Sequence, residues 1–396
     1  MAEWKKTSLL KIVTLIGGGT PKTSKAKYWG GNINWLSVKD FNDENRYVYS
    51  TEKTITEEGL NNSSTKLLRK DDIIISARGT VGELAMIPFP MAFNQSCYGV
   101  RAKDGINSTF LYYLIKHSVR KLKAMTHGSV FDTITRDTFA NIEVAIPDIE
   151  TQQRVAKMLA DIDDKVENNQ RINNNLEQQA MAIFNNAIEQ SKSVTYVELG
   201  SLADVKGGKR LPKGANLKSI PNSHPYIRVR DLNDVVFANL STNYEYVDDE
   251  TQKTISRYIT TTDDVLISIV GTIGLTAIVD KSLNMANLTE NCVKVTNLHG
   301  ISPEYLLLYL RSQHGSEEIK KGTVGAVQAK LPIKNIQALS VPLLPQSDLQ
   351  SLNDTLKVLF NQLSINVAES KCLTDIRDSL LPKLMSGELD VSNLDL

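Results

Sequence analysis

The chain has no run of about 18 apolar residues, so no transmembrane helix is expected and no membrane partner. Met1-Ala2-Glu3-Trp4-Lys5-Lys6 contains no apolar leader core, so export is not expected either. There are only three cysteines, Cys97, Cys292 and Cys372, without close pairing, which suggests reduced thiols and a cytoplasmic location. The five histidines are scattered with no metal-ligand spacing, so no metal site is expected. Net charge is absent too: 45 basic residues balance 45 acidic ones. Several chemical motifs are missing. No Asp-Pro-Pro-Tyr or Asn-Pro-Pro-Phe is present to hold a flipped adenine, no G-x-x-x-x-G-K-[ST] loop to hold ATP, and no H-E-x-x-H helix to hold zinc. Gly17-Gly18-Gly19 leads into no helix start and has no ribose-binding acid at the right distance, which rejects a nucleotide fingerprint.

What the chain does contain is itself, twice. Gly17-Gly18 recurs as Gly207-Gly208, and Val38-Lys39-Asp40-Phe41 as Val229-Arg230-Asp231-Leu232. Asp72 to Ser76, followed by Gly79-Thr80-Val81-Gly82, recurs as Asp264 to Ser268, followed by Gly271-Thr272-Ile273-Gly274. Cys97 returns as Cys292, and Ile146-Pro147 as Val341-Pro342. The offset grows slowly along the chain, as small insertions would make it grow, so the 396 residues are a tandem duplication.

Each copy divides into a globular part and a long helix. Asp72–Ser76 and Asp264–Val270 read as short buried strands rich in β-branched residues, each closed by a Gly-Thr-x-Gly turn. Ile142–Ile146 and Ala338–Val341 read as strands ended by proline. Ser302 caps a helix with Pro303 at its first position, and Ser108 is expected to do the same before Phe110 to Ile115. After each globular part an apolar seam alternates steps of four and three. The first runs Val155, Leu159, Ile162, Val166, Asn169, Asn173, Leu176, Ala180, Ile183, Ala187. The second runs Leu349, Leu352, Leu356, Leu359, Leu363, Asn366, Ser370, Leu373, Arg377, Leu380, Leu384. Sustained heptads of this kind indicate a coiled coil, and polar residues at matching seam positions set its register. Pro382 is expected to end the second helix near Leu381, with Gly387 as a chain stop.

The expected fold class is therefore mixed α/β (α+β). It comprises reading domains at 1–148 and 191–344, helices at 149–190 and 345–386 forming an antiparallel coiled coil, and a tail at 387–396. Charge separates these parts. Residues 1–150 carry 20 basic and 16 acidic residues, and 191–345 carry 17 and 15; the helical segments 151–190 and 346–396 carry 4 and 6, and 4 and 8.

The positive charge is focused on loops. Between Thr20 and Lys39 lie Lys22, Lys25 and Lys27, interleaved with Tyr28, Trp29 and Trp35 and free of acids. Val205 to Arg230 holds Lys206, Lys209, Arg210, Lys213, Lys218, Arg228 and Arg230, again without an acid. A second basic cluster contains Lys116, His117, Arg120, Lys121, Lys123 and His127, answered in the second copy by Lys320-Lys321. Glycine-rich cationic loops on a strand scaffold suit phosphate approach and base readout, so Thr20, Lys22, Lys25, Lys27, Lys39, Lys123, His127, Lys206, Lys209, Arg210, Lys213, Arg228, Arg230, Lys320 and Lys321 are expected to contact double-stranded DNA, with Arg78 beside its glycine turn. Cys97 and Cys292 are expected to be buried packing residues, and Asp40 and Asp231 to brace loops. A nuclease with scattered carboxylates and a tandem scaffold for protein or carbohydrate remain as other readings.

Four segments carry a family resemblance. Ile16-Gly17-Gly18-Gly19-Thr20-Pro21 with Tyr28-Trp29-Gly30-Gly31 and Trp35 to Asp40 resembles the opening of a target recognition domain of type I restriction–modification specificity subunits. Asn94-Gln95-Ser96-Cys97 is similar to another segment of that family. Ile146 to Ala156 resembles the start of its spacer helix, and Leu380-Leu381-Pro382-Lys383-Leu384-Met385-Ser386-Gly387-Glu388-Leu389 its C-terminal signature. The second copy departs at its start, where Gly207-Gly208-Lys209-Arg210-Leu211-Pro212 replaces the Gly-Gly-Thr-Pro form. The resemblance implies a non-catalytic subunit with two target recognition domains held apart by antiparallel helices, each reading half of a bipartite target. It also implies modification (methyltransferase) subunits carrying S-adenosylmethionine, and restriction (motor and nuclease) subunits using ATP and Mg, with no cofactor in this chain.

Overall fold

The computed structural model describes residues 4–41, 45–125, 133–241, 244–325 and 328–391, with the side chains of 120–125 excepted. Two units emerge, residues 1–171 with 367–396 and residues 172–366. Each contains one globular domain and pieces of both long helices, Ile149–Gln190 and Gln346–Ser386.

In the first unit the chain makes an antiparallel sheet in the order Val13–Gly17, Cys97–Ala102, Ile73–Ser76, Leu84–Met86. Ile73, Ile74 and Ile75 are all buried, and alternation sends them to different cores. Ile73 and Ile75 pack with Phe110, Leu111 and Leu114 of the helix Ser108–Met125. Ile74 packs with Leu36, Leu68, Met91 and Phe93 of a second sheet, in the order Lys53–Ile55, Trp29–Leu36, Met91–Phe93, Leu67–Leu68. A run of apolar residues without alternation is thus a strand covered on both faces, and each such side chain contributes roughly 1.5–3 kcal/mol. Lys5–Ser8 pairs with Glu143–Ile146 as a separate ribbon.

The second unit repeats this plan with Asp204–Gly207, Cys292–Thr296, Val265–Ser268 and Thr276–Val279, extended by the two-residue strand Phe237–Ala238. Val265 and Ile267 face the helix Pro303–Arg311, while Leu266 faces the opposite core. The repeat holds atom for atom at the turns. Gly79 and Gly82, like Gly271 and Gly274, have φ between 80° and 88°. Ser76 Oγ and Ser268 Oγ each donate across that turn, to the carbonyls of Thr80 and Thr272.

Several boundaries differ from the sequence expectation, each for a local reason. Asp72 and Asp264 lie outside the strands because their carboxylates accept from the Arg69 and Thr261 amides in the preceding turn. The second strand ends at Ser268 rather than Val270. The proline-containing strand near the end of the second domain is Ser340–Leu343, not Ala338–Val341, and it runs through Pro342. It pairs only with Thr195–Glu198, so the missing N–H can face away from the ladder. The cap of Ser108–Met125 is Asn107, whose Oδ1 accepts from the Phe110 amide at 2.9 Å; Ser108 is the first helical residue. Ser302 does cap its helix, accepting from the Tyr305 amide.

Pro382 does not end the second long helix, which continues to Ser386. The proline costs one helical hydrogen bond, but Leu381, Leu384 and Met385 around it are buried in the first unit's core and offset the loss. The stop is Gly387 at φ 74°, with Leu389 donating back to the Lys383 carbonyl.

Within each unit the helix pieces run antiparallel. In the first, Asp163 meets Arg377 and Asn169 meets Ser370 and Glu369; in the second, Asn366 donates to Asn173 at 2.8 Å. Leu159, Val166, Leu356, Leu363, Asn169 and Asn366 are buried, and Asn173, Leu176, Ser370 and Leu373 half-buried. The seam departs from strict heptads at several places. Asp163 and Phe360 are buried where Ile162 and Leu359 were expected and are only half-buried. Phe184 and Leu381 replace Ile183, which is exposed, and Leu380, which is half-buried. Towards their ends the helices step by fours, because there they bury a wider face against the domain as well as against each other.

Candidate nucleic-acid interface

The glycine loop of the first unit is clamped from below. A Cβ on Gly18 would stand 2.0 Å from the Asn94 carbonyl oxygen, and one on Gly19 2.3 Å from the Thr65 amide nitrogen. Gly19 donates to the Phe93 carbonyl at 3.0 Å and its own carbonyl accepts from the buried Trp35 indole at 3.0 Å. Thr20 is tied to Gln95 through its hydroxyl. The second unit makes the same seat with different residues. A Cβ on Gly208 would stand 2.0 Å from the Thr289 carbonyl oxygen, Lys209 donates to the Leu288 carbonyl, and the Tyr226 hydroxyl donates to the Lys209 carbonyl.

From these fixed points the cationic loops are presented to solvent. Lys22, Lys25 and Lys27 are exposed, and the Lys39 ammonium reaches out to Glu52 at 3.9 Å. Lys25 lies 5.1 Å from the centre of the Tyr28 ring, and Trp29 stacks edge-on to Trp35 at 5.1 Å. Lys27 pairs with Glu58, whose hydrogen bond raises its pKa. Arg78 is exposed beside the Gly79 turn.

In the second unit Lys209 packs over Tyr258 at 5.4 Å and Lys213 is exposed. Lys206 pairs with Asp204 at 3.0 Å and Arg210 with Glu290 at 2.7 Å. Arg228 and Arg230 both converge on Glu245, on the neighbouring strand. Lys320 is exposed in the last turn of the helix Gln313–Gly322, and Lys321 reaches Glu318 at 3.9 Å. Among the described residues, no carboxylate pairs with Lys22, Lys25, Arg78, Lys209, Lys213 or Lys320. The Lys123 side chain and His127 lie outside the described residues. His117, grouped with them by sequence, is buried rather than presented.

Asp40 and Asp231 brace their loops. Asp40 accepts from the Ser37 amide at 2.7 Å, and Asp231 from the Arg228 amide at 2.7 Å. Burial pushes the Asp231 carboxyl up to about 6, against the opposing pull of Arg230. Cys97 and Cys292 are buried, and burial pushes both thiols up to about 12, which makes them inert packing residues. Among the described residues no group of three or more His, Cys, Asp or Glu could hold a metal, and no helix is long and apolar enough to cross a membrane.

Sequence reading missed two features. One is a cavity of about 630 Å³ beside Gly17 and Gly18, lined by Lys66, Arg69 and Arg101. Its cations come from places distant from the glycines in sequence, so no local run announces them. The other is the buried Asp163–Arg377 pair at 2.6 Å, with the Tyr113 hydroxyl donating to the same carboxylate. A lone Asp beside an expected seam position looks like a solvated charge.

Comparison with known proteins completes the picture. The model of the type I restriction modification DNA specificity domain matches residues 1–178 and 191–373. The MjaIX specificity subunit of Methanocaldococcus jannaschii is 26% identical over 99% of this chain and 95% of its own length. The EcoR124I/EcoR124II specificity subunit of Escherichia coli is 32% identical over 41% of each chain. The crystal structure of the type I restriction–modification S subunit from M. genitalium shares the fold, with a TM-score of 0.54, 17% identity and coverage of 99% of this chain and 97% of that one. The duplicated reading domain, the paired helices and the two matches of the family model together place this chain in the DNA specificity family of type I restriction–modification systems, whose members recognise the DNA target and are not themselves catalytic.

Proposed function

We propose that each unit reads one half of a bipartite, asymmetric double-stranded target through its glycine-anchored cationic loop. The observation that carries this is one seat with two different fillings. Gly18 and Gly208 make the same close approach to a carbonyl, yet the loops that follow differ in nearly every side chain. Lys22, Lys25 and Lys27 with Trp29 face the DNA in one; Lys209, Arg210 and Lys213 do so in the other. Groove readout depends on which donors and apolar groups a loop presents, so different loops on one scaffold select different bases.

The same reading gives the chain its partners. Modification subunits would supply S-adenosylmethionine-dependent adenine methylation, and restriction subunits the ATP- and Mg-dependent motor and nuclease. This chain would carry no cofactor and would work in the cytoplasm, supplying address and scaffold. Membership of the DNA specificity family supports partner subunits in general terms, since a chain that only recognises DNA needs others to act on it.

The test is an exchange. Residues 1–148 are replaced by the corresponding domain of another family member, and methylated adenines are mapped genome-wide. One half-site should change and the other remain. A change in both halves would overturn independent reading.

A further inference from the structure

We infer that the cavity between the glycine loop and the strand Leu67–Leu68 is a seat for a backbone phosphodiester of the bound duplex, gripped by Lys66 and Arg69 and approached through Gly17. The inference rests on the reading that the first unit engages DNA, and adds a contact site outside the loops already named.

Three observations carry it. First, two of the three cations that converge there have no acid to satisfy them. Lys66 and Arg69 are exposed, and among the described residues neither side chain has a carboxylate partner. The nearby Asp72 is engaged elsewhere: Arg101 Nε and Nη2 donate to its two oxygens, and its Oδ2 also accepts from the Arg69 amide. Arg101 Nη1 takes no part in that pair. Unscreened cations on a concave wall raise the local potential for an anion.

Second, the fold does not require glycine at position 17. Its backbone φ lies outside the left-handed region, and a Cβ there would meet nothing within 4 Å. Gly18 is different, because the Asn94 carbonyl forbids any side chain. What the missing Cβ at Gly17 does is leave the cavity wall as bare backbone, which lets a phosphate come close.

Third, the second unit has lost the cations at the same positions. The strand registers align Lys66 with Tyr258, Arg69 with Thr261 and Arg101 with Thr296. Tyr258 is instead covered by Lys209. Lys294 there pairs with Asp264 at 3.1 Å as Arg101 pairs with Asp72, so the paired cation belongs to the shared scaffold, and the unpaired Lys66 and Arg69 are what is particular to the first copy.

The experiment uses the full chain and a random-sequence duplex of about 30 base pairs, with affinity measured by fluorescence anisotropy across a salt series. Each phosphate contact contributes about 0.9 to the slope of log K against log salt. Lys66→Ala/Arg69→Ala should reduce the slope by about 2 and weaken binding roughly tenfold or more at low salt, since hydrogen bonds to charged groups are being lost. Gly17→Val should keep the melting temperature of the parent yet weaken binding to a similar extent, by filling the seat. Lys70→Ala, an exposed neighbour outside the cavity, should leave the slope unchanged. If Lys22→Ala/Lys25→Ala flattens the slope while Lys66→Ala/Arg69→Ala does not, the seat is wrong and DNA reading by the loop stands. If the parent chain shows no salt-dependent duplex binding at all, the reading beneath the inference fails with it.

Discussion

Gly18 and Gly208 are the residues at which the scaffold leaves least choice. A methyl group at either would sit 2.0 Å from a main-chain carbonyl oxygen, and backbone cannot rotate out of the way as a side chain can. Gly18→Ala and Gly208→Ala should each destabilise their own unit by about 3 kcal/mol or more, read as a lowered urea midpoint. Gly17→Ala should not. Asp231 offers a second residue-scale test. Its carboxyl is held up to about 6 by burial, against an ordinary 3.8, so the folded state holds the proton more tightly than the unfolded chain. That group therefore favours folding below about pH 4, and the contribution is lost as pH rises through 6. Asp231→Asn keeps an oxygen to accept from the Arg228 amide but cannot ionise. The variant should gain stability relative to the parent between pH 4 and 6, and a flat difference across that window would contradict the burial argument.

At the scale of elements, the long helices show what a heptad pattern can and cannot reveal. Asn169, Asn173, Asn366 and Ser370 were legible, because a polar residue repeated at a matched seam position is visible in the sequence alone, and all four do meet across the pair. The steps of four at the helix ends were not legible. They depend on Phe184 stacking against Tyr305 and on Leu381 entering the core beside Leu384, contacts with a domain whose position no periodicity encodes. Pro382 misled for the same reason, since local propensity yields to tertiary burial. The glycine loops, the Gly-Thr-x-Gly turns and the double-faced isoleucine strand were readable because each is a local constraint. The cationic cavity was hidden because its walls meet only in space.

The buried Asp163–Arg377 pair is the element-scale interaction with most at stake. Asp163→Ala leaves Arg377 buried without that partner and should cost about 3–5 kcal/mol. Arg377→Ala should cost less, since the Tyr113 hydroxyl still donates to Asp163. In a double-mutant cycle by urea unfolding, the double variant should lose about 2 kcal/mol less than the two single losses combined. Additive losses would mean that the pair is not coupled.

For the whole molecule, duplication sets a problem that the same pair resolves. A displacement of 197 positions carries Asn169 onto Asn366 and Asn173 onto Ser370, so either helix presents nearly the same central polar seam. By that measure one copy could pair with its own kind. The displacement also carries Asp163 onto Phe360 and Ala180 onto Arg377, and Phe360 and Ala180 are buried in the second unit's apolar core. A first helix laid antiparallel against another first helix would bury Asp163 against Ala180. Two second helices would bury Arg377 against Phe360. Each mismatch would occur twice, and each would strand a charge without a counter-ion, at a cost of several kcal/mol. Unlike halves make the ion pair and like halves cannot. Ancestry made the two halves alike, and one acid and one base are enough to make them mates instead of twins.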